Sequence, residues 1–212
     1  MKIMKNLNKA LVCLLLISVV MLSCKKEKKV FQTFDHKAFM LDTMNGSRGS
    51  LYVFLAPECP LSENYTLTIN QLQAQFADSG LRFYAVISGQ LFDSAAIGFY
   101  ANRFPLGLPL LVDTGYYFSD QFKATTTPEA VLLNEKSEVV YQGAIDNWAT
   151  ALTQLTAAPT RNYLMDAMNS VLKKKQLKLV KPRQLDVLLK DEKQIRIIFC
   201  KHIYFRLFAR IE

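Results

Sequence analysis

Between Val30 and Gln176, short apolar runs alternate with longer stretches in which apolar residues recur every third or fourth position. The first pattern marks buried strands and the second amphipathic helices. Leu51–Leu55 is one continuous β-prone apolar run, closed by the break Ala56-Pro57-Glu58. Behind it Tyr65, Ile69, Leu72 and Phe76 fall at helical spacing, predicting a helix over Leu61–Ala77 that stops at Ser79-Gly80. Pro60 suits the first helical position, where its missing N–H costs nothing. Leu81–Ser88 reads as a buried strand, and Phe92–Phe104 as a helix with Ala95, Ile97, Phe99 and Tyr100 as its apolar surface. Leu108–Asp113 reads as a short strand and Tyr116–Lys123 as a short helix. Pro128 precedes an apolar run ending at Leu133 and must stand at its first position or in a turn. The turn Asn134–Ser137 and the strand Glu138–Gly143 complete an antiparallel hairpin. Arg161–Gln176 is the last predicted helix, with Leu164, Ala167, Met168, Val171 and Leu172 on its apolar face. At the front, Phe39–Asp42 and the turn Asn45-Gly46-Ser47 predict a strand or hairpin leading into the central strand. Strand–helix alternation followed by a hairpin and a helix predicts an α/β layered architecture with a parallel pair of strands.

The chain ends carry a different pattern. Lys2, Lys5 and Lys9 precede an apolar run of thirteen residues, Ala10–Leu22. That is short for a membrane span but suits a signal peptide. The run closes on Met21-Leu22-Ser23-Cys24, which resembles a bacterial lipoprotein box with Met21 where leucine is usual. The expected organisation is therefore a lipoprotein signal peptide over residues 1–23, a charged tether over 24–29, a folded domain over 30–178 and a basic tail over 179–212. On this reading Cys24 carries lipid and anchors the protein to a membrane in the bacterial cell envelope, outside the cytoplasm. An ordinary signal peptide or short anchor is the alternative. The formal charge of +8 does not point to nucleic acid. Lys173–Glu212 holds twelve Lys/Arg against four Asp/Glu, leaving fourteen of each elsewhere, and the body shows no basic stripe with interleaved aromatics.

The four cysteines stand at 13, 24, 59 and 200, without a C-x-x-C pair or metal-ligand spacing. With only His36 and His202 beside them, no metal site is expected. Cys59 stands where a strand gives way to a helix, outside any apolar stripe. There the positive end of the helix dipole favours a thiolate over a thiol. The bland alternative is a cysteine that is merely buried.

Residues 39–176 resemble a redoxin domain of the thioredoxin-like superfamily (the AhpC/TSA group). The motif Cys59-Pro60-Leu61-Ser62-Glu63-Asn64-Tyr65 is closest to a bacterial subgroup with Cys-Pro-Leu/Ile-Ser-x-x-Tyr. The resemblance implies a thioredoxin-like fold: a central mixed β-sheet flanked by helices, here with an N-terminal extension. It implies a cis peptide at Thr127-Pro128 beside Cys59, with both residues and Pro60 positioned to hold an extended substrate. Tyr141–Asn147 is similar to the family's Gly-x-Ile-Asp turn, with Asp146 a turn former rather than a catalytic acid, and Tyr65 and Trp148 read as core or rim aromatics. The implied activity is thiol–disulfide exchange at Cys59 with protein or small-molecule thiols and disulfides, without metal or organic cofactor.

Two departures bear on that activity. Ser62 occupies the second cysteine's position, so no local disulfide forms, although its hydroxyl is placed to hydrogen-bond a thiolate. Ala56 and Tyr52 stand where peroxiredoxins of the superfamily carry threonine and proline, which disfavours peroxidase activity. A binding lipoprotein that keeps the fold without turnover remains the alternative from another class. The tail past Lys178 lacks a partner surface, and its composition resembles translated AT-rich DNA. One choice of codons for Val180–Glu192, read from the third base, gives Lys-Thr-Lys-Ala-Val-Gly-Cys-Phe-Ile-Lys-Gly and a stop. The subgroup's usual ending is similar, so the tail is compatible with a frameshift that removed a second cysteine. A basic, lipid-touching tail is the competing reading.

Overall fold

The computed structural model describes residues 30–40, 47–151 and 154–174. The predicted leader, Cys24, Asn45-Gly46, the end of the last predicted helix and the tail with Cys200 lie outside the described residues.

A five-stranded sheet forms the centre, in the order β5-β4-β3-β6-β7. Its members are β3 (Gly49–Phe54), β4 (Leu81–Ser88), β5 (Leu110–Asp113), β6 (Glu129–Asn134) and β7 (Val139–Gly143). β3, β4 and β5 run parallel, while β6 and β7 are antiparallel to their neighbours. The helices are α1 (Pro60–Gln75), α2 (Ser94–Arg103), α3 (Tyr117–Phe122) and α4 (Tyr163–Leu172). The hairpin β1 (Val30–Gln32) and β2 (Ala38–Met40) adjoins β5 through a Thr33–Leu111 bridge and the Phe34 N–H, which donates to the Leu110 carbonyl at 2.8 Å. A small ribbon, β8 (Ala149–Ala151) with β9 (Gln154–Leu155), precedes α4.

β3 is buried along its whole length, and its side chains alternate between two cores. Leu51, Val53 and Leu55 join a cluster with Tyr65 and Ile69 of α1, Ile97 and Tyr100 of α2, and Leu164 and Met168 of α4. Tyr52 and Phe54 join the other, with Tyr84, Val86, Phe118 and Phe122. A strand covered on both faces needs no polar alternation, which is why Leu51–Leu55 reads as one run. The chain turns from α1 into β4 through a short 3₁₀ segment and Gly80, whose φ of 80° suits a residue without a Cβ.

Two expectations are corrected, and one element is added. Phe99 and Ala95 do not supply the buried face of α2: both are exposed, Phe99 to 68%, while Ile97 and Tyr100 carry the burial. Helical spacing alone left two adjacent faces eligible, and only one meets the sheet. A hairpin not read from the sequence turns within Thr33–Lys37, closed by the Thr33 N–H bond to the Lys37 carbonyl, while the turn expected at Asn45-Gly46 lies outside the described residues. Cys59, expected outside any apolar stripe, is 1% exposed and packs within the first core cluster.

Candidate active site

β3 ends at Phe54, and the chain crosses Leu55–Glu58 to reach Cys59 as the N-cap of α1, with Pro60 opening the helix. The turn is tight. The Cys59 N–H donates to the Ala56 carbonyl at 3.3 Å, and the Cys59 carbonyl accepts from Glu63 N–H at 3.0 Å. Glu58 takes a left-handed φ of 61°, a conformation that is uncommon for a residue with a Cβ. The Cys59 side chain accepts no capping bond from the helix amides. Its S–H faces the Thr127 carbonyl, with Sγ and O 3.9 Å apart.

That carbonyl belongs to the Thr127–Pro128 bond, which is cis. The predicted site residues Cys59, Pro60 and Thr127-Pro128 therefore come together at the end of β3. Thr127 is 1% exposed, and its Oγ1 has no hydrogen-bond partner among the described residues. Ser62 lies one turn into α1, fully buried, and its Oγ accepts the Ala56 N–H at 3.1 Å. That bond ties the approach loop to the helix and gives the serine a structural partner in addition to any role toward sulfur.

Two further side chains shape the site, and periodicity registers them only as core. The Tyr100 hydroxyl on α2 donates to the Ser62 carbonyl at 3.3 Å. Burial pushes its phenol up to about 12, charges on Cys59 and Glu63 add to the shift, and a hydrogen bond with Thr66 opposes it. Tyr65 donates to Asp146 Oδ1 at 2.5 Å and meets the Trp148 ring edge-on, with centroids 5.5 Å apart. Burial, reinforced by that hydrogen bond, holds the Tyr65 phenol far above the ordinary tyrosine range. Asp146 Oδ1 also accepts the Trp148 N–H at 2.8 Å, so it forms the predicted turn and pins α1 to it. The Glu63 carboxyl is raised by burial, with Arg103 opposing and Glu58 adding.

Among the described residues, no group of three or more His, Cys, Asp or Glu is placed to hold a metal ion. None of the described helices is long and apolar enough to cross a membrane.

No protein-family model matches the chain, and no curated protein matches it. Solved structures do. A hypothetical protein from Sinorhizobium meliloti aligns at 20% identity and a TM-score of 0.63, covering 78% of this chain and 91% of its own. DsbF from Mycobacterium tuberculosis, described in mixed oxidized and reduced forms, aligns at 17% identity and TM-score 0.52, covering 68% and 95%. An exposed lipoprotein thioredoxin from Streptococcus pneumoniae aligns at 14% identity and TM-score 0.52, covering 69% and 98%. At these identities the likeness is one of fold, and the fold is thioredoxin-like.

Proposed function

We propose that this chain is a thiol–disulfide oxidoreductase of the bacterial cell envelope, with Cys59 as its nucleophile. The carrying observation is the free Cys59 at the N-cap of α1, with its sulfur 3.9 Å from the carbonyl of the cis Thr127–Pro128 bond. The Cys59 thiolate attacks one sulfur of a substrate disulfide. A new S–S bond joins Cys59 to the substrate, the old one breaks, and the departing sulfur leaves with the electron pair and takes up a proton. A second cysteine or an external thiol then attacks the Cys59 sulfur of the mixed disulfide, and the remaining substrate sulfur leaves as a thiolate and takes up a proton. A further thiol attacks the disulfide so formed and returns Cys59 to thiolate, the two attacking thiols ending joined as a disulfide. Thr127 and Pro128 hold the substrate backbone, and Ser62 supports the sulfur from the next turn. Residues 1–23 serve as leader, Cys24 as lipid attachment and 24–29 as tether to the domain 30–178, which the basic tail 179–212 follows. The S. pneumoniae lipoprotein thioredoxin of like fold supports that setting.

Turnover tests the reading. The protein is expected to accelerate dithiothreitol reduction of a peptide disulfide, and Cys59→Ser to remove the acceleration entirely. Acceleration that survives Cys59→Ser would overturn it. The second reading, a thioredoxin-fold binding lipoprotein without turnover, is favoured by one observation: Cys59 is only 1% exposed, with Ser62 where a resolving thiol would stand. It predicts no acceleration by either protein.

A further inference from the structure

A carboxylate lies buried directly behind the cis peptide. Glu129, the first residue of β6, is 3% exposed. It pairs with Phe54, the last residue of β3 before the chain leaves for Cys59. Glu129 Oε2 accepts the Thr125 N–H at 2.8 Å and the Thr126 N–H at 3.2 Å, and the Thr126 hydroxyl reaches it at 3.5 Å. Oε1 accepts the Gln142 amide at 2.8 Å, and the same amide nitrogen donates to the Lys123 carbonyl at 3.2 Å. The two neighbours that share its face of β6, Val131 and Leu133, are apolar members of the second core cluster. A buried carboxylate at this register costs desolvation that valine would avoid. What it supplies is an acceptor for two successive amides of the segment Lys123–Thr126, which runs straight into Thr127.

We infer that Glu129 is a positioning residue: with Gln142 behind it, it sets the backbone of Lys123–Thr126 and so aims the Thr127 carbonyl and Pro128 at Cys59 and its substrate. The inference rests on the thiol–disulfide reading above and extends it to a group that touches neither sulfur nor substrate. Glu129→Gln keeps the shape but turns one acceptor into a donor facing other donors. Its effect then depends on whether a reagent needs the Thr127–Pro128 backbone. A peptide disulfide does, because its backbone lies along that segment; iodoacetamide needs only the sulfur.

The test compares the full chain with Glu129→Gln and Gln142→Met, following Cys59 by peptide mapping. Expected is a loss of about tenfold in the rate of peptide-disulfide capture by Glu129→Gln, the rate equivalent of one hydrogen bond to a well-placed acceptor. The iodoacetamide rate is expected to stay unchanged. Gln142→Met, which leaves the loop amides paired, is expected to give a smaller loss of the same kind; it carries the test if Glu129→Gln fails to fold. Unchanged capture in both variants, or equal changes with both reagents, would overturn the inference, because the second is what general loosening of the fold produces. Failure of the underlying reading looks different: the parent protein itself captures no peptide disulfide while iodoacetamide still labels Cys59.

Discussion

At the residue scale, two side chains one turn apart carry the chemistry of the site. Cys59 meets the Thr127 carbonyl, and Ser62 Oγ holds the Ala56 N–H. Positions three apart near a helix start bring their Cα atoms within the range a disulfide spans. Ser62→Cys is therefore expected to oxidise with oxidised glutathione, forming an intramolecular bridge between Cys59 and the introduced thiol. It should also lose about 1–3 kcal/mol when reduced, since the Ala56 N–H is left without its acceptor. Thiol counting and a denaturation midpoint check both; a variant whose thiols stay free contradicts the geometry. Glu58 offers a second test. Its left-handed φ is one that a β-branched residue tolerates poorly, so Glu58→Val is expected to destabilise by about 1–3 kcal/mol while Glu58→Gly does not. Equal midpoints for the two variants contradict it. Much at this scale is legible in the sequence. The break Ala56–Glu58 and Pro60 place Cys59 at the head of a helix because both are local backbone signals. Its burial is not legible, because the cover over a helix start comes from segments distant in the chain, above all Thr127 and Tyr100.

Elements set where those side chains stand. β3 delivers Cys59, β6 delivers the Thr127–Pro128 segment to its side, and their pairing from Gly49–Asn134 to Phe54–Glu129 fixes the relation. The strands are readable wherever burial on both faces or a bounding turn marks them: Leu81–Ser88 has the same limits in sequence and structure, and the 134–137 turn lies between β6 and β7. α2 is readable as a helix but not in its facing, since Ala95, Ile97, Phe99 and Tyr100 are all apolar and only tertiary contact selects among them. The ribbon β8–β9 has neither length nor a strong apolar pattern, so periodicity does not reveal it. Between α1 and the turn after β7, the buried Tyr65–Asp146 bond acts as a clasp. Tyr65→Phe is expected to cost about 1–3 kcal/mol, the range for a buried acceptor that loses its donor, with the Cys59 alkylation rate unchanged. A midpoint equal to the parent's contradicts the clasp.

For the whole molecule, two cores on either side of one strand leave several phenols deep in the protein. Burial raises Tyr52, Tyr65, Tyr100 and Tyr141, with Tyr100 pushed up to about 12. The fold therefore favours the neutral phenol. This contribution to stability is fully present below pH ~10, where free tyrosine titrates, and is lost as pH rises through the folded-state values. Stability is expected to fall from pH ~10 upward, with phenolate absorbance rising in a step at unfolding. Smooth titration of every tyrosine near ~10 in folded protein contradicts it. The same architecture defines the central claim, that a cysteine packed at the end of the middle strand exchanges disulfides. The most direct measurement incubates the native protein with a peptide disulfide, quenches with acid and finds the adduct by mass. One peptide bound through a dithiothreitol-sensitive bond at Cys59, and none in Cys59→Ser, is the expected result. Labelling of Cys59 only after denaturation would contradict it and leave the sulfur a part of the core.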